Sequence, residues 1–469
     1  MGLIEDLQRV VGPAQVLTGA DTGGHARDWM GKYQGQPVAV VRPASTAEVQ
    51  AVVRLAAAHG VPVVPISGNT GIVGGTMTEG GLMVSLERMN RIRALKRDAR
   101  LVVAEAGVIL TRLHEAAEAE GLYFPLWFGA RGSAMLGGVL STNAGGSNVL
   151  RYGSTRALCL GVEVVLPDGR VLNLMGELHK DNSGYDLKDL FIGAEGTLGI
   201  ITAAVMKLVP APLAHATATV AARSLPDAQG LLNRMQEATG GRVEAFEFMP
   251  RTYADRLALV RPDLGQAFTD IPEVTLLIEA ATTVATEATP DATGAVPLTA
   301  TLERILAEML EAGLIQDAVI AQSQAQRQAM WARREAAAEL SLGMDPAVDT
   351  DVCLPLDQVA AFLDEALLRL TQLDPGMQSL TVGHLGDGNL HFTAFPTRAD
   401  LKDRVLEIIE DVVAELGGSF SAEHGVGLSK LPSMERRKDP VALDVMRAVK
   451  AALDPEGRMN PGKVIPASA

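Results

Sequence analysis

Cysteine is nearly absent: Cys159 and Cys353 are the two in 469 residues, far apart and outside any CxxC pair. That excludes a disulfide framework and a thiolate metal cluster, and a reducing compartment fits. Cations are in deficit, with 41 Lys and Arg against 56 Asp and Glu and a formal net charge of −15. A nucleic-acid surface needs clustered cations to displace counterions, so the balance points to small-molecule partners. No window holds about eighteen apolar residues free of charge, so no bilayer-spanning helix is expected. The opening MGLIEDLQRV lacks the basic and apolar regions of a secretory signal, and Asp6 stands where a myristoylation motif needs Ser or Thr. The cytoplasm is the expected location; peripheral contact with a membrane and assembly into a homodimer are left open.

What the chain does have is a hydrophobic content of 47% with 21% charged residues, enough for a sizeable core. Its length suggests two or three domains. Between about Pro37 and Pro210, short β-rich runs alternate with Gly-rich turns and two helical stretches. Ser45 caps a predicted helix over 46–59, with Val49, Val52, Val53 and Leu55 in apolar periodicity. VPVVPIS, LMVSL, LVVAEAG, CLGVEVVLP and LGIITAAVMKLVP read as strands. From about Ala214, longer helices alternate with strands such as EAFEFMP and VTLLIEA, the pattern of helices packed on one face of an antiparallel sheet. The segment 282–298, TTVATEATPDATGAVPL, lacks bulky periodicity and reads as a flexible insertion.

Glycine is concentrated in SGNTGIVGG at 67–75, GGVLSTNAGGSNVLRYGS at 137–154 and GAEGTLGIIT at 193–202. The first follows a strand directly, where backbone N–H groups can fold around an anion. Its spacing is neither the Rossmann GxGxxG nor GxxxxGK[ST], so a dinucleotide fold of that type and ATP chemistry lose support. One such run is ordinarily just a turn. Three, with small hydroxyl residues beside the glycines, point to a large dinucleotide lying on backbone amides.

The stretch TVGHLGDGNLHF at 381–392 carries His384 and His391 around a strong turn signal. A two-residue turn at Asp387-Gly388 predicts that Gly386 faces Asn389, Leu385 faces Leu390 and His384 faces His391. Opposed residues share a side with Cβ atoms about 5 Å apart, so both imidazoles can reach one divalent ion. SAEHGVGLSK offers Glu423 as a third ligand with His424 beside it. Adjacent strand residues face opposite ways, so the two serve one site only where the chain bends, at Gly425 and Gly427. Two imidazoles and a carboxylate suit zinc or another first-row divalent ion. The plainer reading is a hairpin whose histidines hydrogen-bond across the strands. A phosphate loop fits less well, because Asp387 puts negative charge at the anion's place; Asp387 is expected to shape the turn. In WARREA at 331–336, Arg334 offers a fork for a carboxylate, or else belongs to a solvated helix face.

PISGNTGIVGG, GGVLSTNAGGSNVLRYG, KDNSGYDLKDLFIGAEGTLGIIT and LDPEGRMNPGK, in that order, resemble the FAD-binding oxidoreductases of the vanillyl-alcohol oxidase type. The subgroup they look like is the D-2-hydroxyacid dehydrogenases, which includes D-2-hydroxyglutarate dehydrogenase, FAD-dependent D-lactate dehydrogenase and the glycolate oxidase FAD subunit. The resemblance implies an α+β chain: an N-terminal segment 1–35, an FAD-binding domain of that type at 36–213, a cap domain with helices on an antiparallel sheet at 214–415, and a segment 416–469 returning to the FAD domain. It places Ser67, Gly68, Asn69, Thr70, Gly71, Gly74 and Gly75 around the FAD pyrophosphate. Pro65, Pro125, Ser133, Gly137, Thr142, Gly145, Gly146, Gly196, Ile201 and Asn460 line the cofactor in the same reading. Some relatives attach flavin through a His in the first glycine loop; Asn69 and Thr70 stand there in this chain, so FAD is expected to be dissociable.

The resemblance also implies His384, His391 and Glu423 as ligands of a divalent metal, zinc first among them, and His424 as the base. Arg334, within W-x-x-R-E, and Asn389 are implied to bind substrate together with His384 and His391. The reaction implied is oxidation of a D-2-hydroxy acid, such as D-lactate or D-2-hydroxyglutarate, to the 2-oxo acid, with hydride passing to flavin and electrons on to a protein acceptor or a quinone. One departure bears on the substrate: where some 2-hydroxyglutarate enzymes carry a Thr and a Lys, this chain has Ala338 and Asp349, which removes a cation for a second carboxylate. A metal-dependent hydrolase with a structural nucleotide site stays open as an alternative. So does a non-catalytic flavin subunit of a glycolate oxidase-like complex, which the intact Glu423-His424 pair disfavours.

Overall fold

The computed structural model describes residues 2–341 and 343–467. They divide into two compact units: one runs to Gly145, then Gly153–Pro210, then from Glu423 onward; the other comprises Gly146–Tyr152 and Ala211–Ala422.

In the first unit the Ser45 hydroxyl accepts the Glu48 amide at 3.2 Å, and the Glu48 carboxylate accepts the Ala44 amide at 2.8 Å. With its first donors satisfied, the helix runs Thr46–Ala58 and buries Val49, Val52, Val53 and Ala56. These pack with Leu7 and Val11 of a preceding helix against a four-stranded sheet, ordered Val16–Leu17, Ala39–Val41, Leu82–Ser85, Val63–Ile66. Its last three strands are parallel. A second sheet of five antiparallel strands is ordered Ile92–Lys96, Leu101–Glu105, Ile200–Lys207, Cys159–Val165, Val171–Leu174. Part of the second glycine run, expected to be a turn, is a helix, Leu136–Thr142. Close packing rather than turning explains its glycine: a Cβ on Gly137 would lie 2.7 Å from the Ala106 Cβ.

The second unit is built on seven antiparallel strands in the order Ile315–Ile320, Ala214–Ala222, Val274–Thr282, Val243–Pro250, Gln378–His384, Asn389–Phe395, Val348–Cys353. Because side chains alternate along a strand, the two faces differ in chemistry. Phe246, Phe248, Leu276, Ile278, Leu390, Phe392 and Ala394 form one face, covered by the helices Leu225–Thr239, Pro297–Glu311, Val359–Leu373 and Lys402–Glu415. The alternate residues Met249, Leu277, Leu380, Val382 and Phe395 form the other, with Tyr253 and Met330 from further helices. Helices therefore cover both faces, where one was expected. The reason lies in the strand Val243–Pro250, buried along nearly its whole length; a strand with no solvated face needs cover on each side.

The insertion expected at 282–298 is shorter. Thr282 ends a strand, a turn of helix spans Ala285–Ala288, and a long helix begins at Pro297. Glu287 ties this connection down by accepting from Thr282 and Arg242, and Asp291 accepts the Thr293 and Ala295 amides. No helix among the described residues is long and apolar enough to cross a membrane.

On the polar-bearing face, the buried Glu279 accepts from Arg327 through two bonds of 2.6 Å, from Thr217 at 2.6 Å and from Trp331 at 3.0 Å. Burial pushes its carboxyl up, but Arg327 outweighs this and holds it below the usual range. A carboxyl lowered on folding stabilises the fold above its unfolded pKa of about 4.3 and loses that contribution as pH falls through the folded value. Glu279→Gln is therefore expected to cost about 1.5–3 kcal/mol at neutral pH and to flatten the acid limb of stability. Urea unfolding followed by circular dichroism across the acid range checks both.

Candidate active site

His384 ends one strand of the hairpin and Asn389 starts the other, with Leu385–Gly388 between them. The observed register pairs His384 with Asn389 and Val382 with His391, two residues from the expected one. A four-residue loop makes the difference: the His384 carbonyl accepts the Asp387 and Gly388 amides, and Leu385 is buried. Gly388, at φ +82° with its absent Cβ only 2.1 Å from the Leu354 carbonyl, is required there. A shift of two preserves which face each side chain takes, so His384, Asn389 and His391 still share one. Asp387 does shape the turn, its Oδ1 accepting the Asn389 amide at 3.1 Å.

The two imidazoles meet edge to face, centroids 5.5 Å apart and planes at 82°, with one ring nitrogen from each within 4.8 Å of the other. Each has a carboxylate behind it. His384 Nδ1 donates to Glu247 Oε1 at 2.8 Å, and His391 Nδ1 lies 3.8 Å from Asp351 Oδ1. A metal-binding His characteristically gives its other N–H to a carboxylate, which fixes the tautomer and orients the ring. With one ring nitrogen of each His and a Glu423 oxygen within 4.8 Å of one another, the donor set fits a divalent cation.

Glu247 is fully buried, and its second oxygen accepts Arg334 Nε at 2.7 Å. Burial pushes the Glu247 carboxyl up; His384 and Arg334 outweigh it and hold it below the usual range. Arg334 is not on a solvated helix face but 8% exposed, on the helix Gln324–Glu335. Arg327, Trp331 and Arg334 follow one helical stripe, the first two on Glu279 and the third on Glu247. Asn389 gives its amide hydrogens to Asp351 and the Val352 carbonyl, both at 3.0 Å, while its buried Oδ1 has no partner among the described residues. That oxygen suits a ligand's hydroxyl donor.

A second charged group on this face is not a metal site. Ligand atoms of His215, Glu244 and Glu279 lie within 4.8 Å of one another, yet Glu279 is given over to Arg327 and Glu244 accepts Arg151 at 2.8 Å and Tyr152 at 2.6 Å. The last two come from Gly146–Tyr152, the short segment folded with this unit.

In the first unit the scattered glycine runs converge on the loop 67–75. A Cβ on Gly68 would fall 2.2 Å from the Ser133 carbonyl, and one on Gly138 3.3 Å from the Ser67 Cβ. Gly196, at φ +72°, has Pro65 where a Cβ would be, at 2.3 Å. Asn460, nearly buried and left-handed at φ 41°, donates to the Gly75 carbonyl at 2.9 Å and to the Glu195 carbonyl at 2.7 Å. Asn69, also left-handed, spends its side chain on the loop, donating to the Arg27 carbonyl and accepting from Thr76. Among the described residues, no backbone N–H from 68 to 75 donates to a group of the chain. A row of unspent amides fits the diphosphate of FAD. Thr142 closes a helix, its hydroxyl on the Gly138 carbonyl, and Ile201 is buried in the five-stranded sheet.

Glu423 and His424 open the stretch that returns to this unit. The expected bend is present, with Gly425 at φ +75° and Gly427 at +51°. Glu195 shapes it by accepting the Val426 amide at 2.7 Å and the Gly427 amide at 2.9 Å. Glu195, Glu247 and Asp351 escaped the sequence reading. For Glu247 there was a signal: a carboxylate within a strand otherwise rich in apolar residues has to be paired.

The chain matches the FAD binding domain over residues 37–175 and the FAD linked oxidases, C-terminal domain, over residues 211–464. It is 36% identical over 475 residues to the D-2-hydroxyglutarate dehydrogenase of Stutzerimonas stutzeri, covering 99% of each chain. It is likewise 36% identical over 473 residues to the mitochondrial D-2-hydroxyglutarate dehydrogenase of Bos taurus, covering 99% of this chain and 83% of the other. A probable mitochondrial D-2-hydroxyglutarate dehydrogenase of Oryza sativa is 37% identical over 447 residues, covering 94% and 77%. Among solved structures, p-cresol methylhydroxylase shares the fold at a TM-score of 0.75 and 16% identity, covering 99% of this chain and 96% of that one. Alkyldihydroxyacetonephosphate synthase does so at 0.73 and 18%, covering 98% and 85%.

Asn460→Ala removes both ties between the glycine loops, each worth about 1 kcal/mol. The purified variant is expected to retain FAD at least about tenfold more weakly, measured as flavin released on gel filtration.

Proposed function

Because this chain belongs to the FAD-linked oxidases of the vanillyl-alcohol oxidase type, in the D-2-hydroxyacid dehydrogenase subgroup, we propose that it oxidises D-2-hydroxyglutarate to the 2-oxo acid with the help of a divalent metal. The observation that carries the reading is the pair His384 and His391, each backed by a carboxylate, on the same sheet face as Arg334. The hydrolase alternative gives no role to a chain-long match with flavin enzymes.

His384, His391 and Glu423 would hold the ion, which when bound would act as a Lewis acid, lowering the pKa of the substrate hydroxyl. Glu423 follows Ala422 directly, and the Ala422 amide is bound to the Asp351 carbonyl at 3.1 Å. Arg334, held by Nε, keeps its terminal nitrogens for the substrate carboxylate. Asn389 Oδ1 accepts from the hydroxyl. His424 takes the hydroxyl proton on a ring nitrogen as general base. The loop 67–75 and Asn460 would hold FAD without a covalent bond, and FAD when bound would supply a hydride acceptor for C2. Loss of that proton and hydride turns the C–O bond into the carbonyl of the product. Reoxidation falls to a protein acceptor or a quinone.

A second reading, with a monocarboxylate such as D-lactate as the better substrate, is favoured by one observation. Ala338 and Asp349 are exposed, and neither offers a cation to a second carboxylate.

Anaerobic addition of D-2-hydroxyglutarate is expected to bleach the flavin, chelator to abolish bleaching, and zinc to restore it. D-lactate, D-malate and glycolate in parallel rank the substrates. Bleaching by none of them, or indifference to chelator, contradicts the proposal. His424→Ala should keep its FAD and lose turnover on the order of a hundredfold; unchanged turnover removes His424 from the mechanism.

A further inference from the structure

We propose that Glu247 is a positioning residue that couples the metal ligand His384 to the substrate-binding Arg334; this rests on the function proposed above. Three observations carry it. Glu247 is paired with His384 across adjacent strands, so the contact is built into the sheet register. Its two oxygens are divided, Oε1 accepting His384 Nδ1 at 2.8 Å and Oε2 accepting Arg334 Nε at 2.7 Å. The carboxylate is at 0% exposure, so water does not reach it to replace either donor.

An ionised carboxylate only accepts. Facing it, His384 carries its proton on Nδ1, so Nε2 is the nitrogen that would meet the ion. The same charge holds the guanidinium by Nε alone; neither terminal nitrogen of Arg334 has a partner among the described residues. One buried group thus sets the tautomer of a metal ligand and the orientation of a carboxylate fork. Glu247 touches neither ion nor substrate and acts through these two neighbours.

Glutamine separates this role from simple space filling. Its amide has one accepting oxygen and an NH2 group, so in either orientation it satisfies one donor and opposes the other. Glu247→Gln is expected to retain FAD, to bind zinc at least about tenfold more weakly in chelator competition, and to raise KM for D-2-hydroxyglutarate at saturating zinc by at least about tenfold. Zinc affinity and KM both within about twofold of wild type overturn the inference. Should this variant fail to fold, Glu247→Asp keeps the charge but is too short to reach both partners. Smaller losses in both readouts then support the role, and wild-type values for both overturn it. Wild-type protein run alongside separates the two levels. A zinc-dependent wild type with an unaffected Glu247→Gln sinks the role of Glu247 alone, while a wild type indifferent to chelator sinks it together with the function it rests on.

Discussion

A buried carboxylate that must be matched by two donors organises the second unit. Glu247 has no exposure to water, and leaving a charge there unpaired would cost several kcal/mol. The sheet supplies one donor, His384, from the neighbouring strand, and the helix Gln324–Glu335 supplies the other, Arg334. The same helix is fastened by Arg327 and Trp331 to Glu279 on the next strand. Two anions inside the sheet therefore fix where that helix lies and which way its arginines point. Geometry of this kind tolerates little rearrangement, because moving either partner strands a charge.

The division of labour between the sheet faces follows from strand periodicity. Phe246, Phe248, Ile278 and Phe392 commit one face to an apolar core under four long helices. Their alternates on the same strands, Glu247, Glu279 and His391, carry charge and chemistry on the opposite face, joined there by His384 from the strand Gln378–His384. The core supplies rigidity, and the opposite face uses it to hold imidazoles and carboxylates in fixed relation. The first unit solves a different problem with backbone rather than side chains. Glycines at 68, 137 and 196 let three distant runs approach closely enough that a Cβ at any of them would collide with a neighbour, and Asn460 joins two of the loops through their carbonyls.

Much of this was legible in the sequence where the signal was local. The cap at Ser45, the β-branched strands, the turn role of Asp387 and the bend at Gly425 and Gly427 each depend on residues within a few positions. The hairpin register was missed by two residues because Asp387-Gly388 favours a tight turn, whereas burying Leu385 lengthens the loop. The helix at 136–142 was hidden because its glycines answer to Ala106 and Ser67 rather than to a turn. Glu247 was hidden for a stronger reason. Its apolar strand says that the carboxylate needs partners, but these lie 87 and 137 positions away, and no local pattern identifies them.

The account stands on His384 and His391 presenting Nε2 to an ion while Glu247 holds His384 from behind. Anomalous diffraction from crystals grown with zinc and the 2-oxo acid product tests this most directly. The account predicts one zinc peak bonded to Nε2 of both histidines, with Glu247 still between His384 Nδ1 and Arg334 Nε. A peak at other residues, or His384 turned to bind through Nδ1, would contradict it.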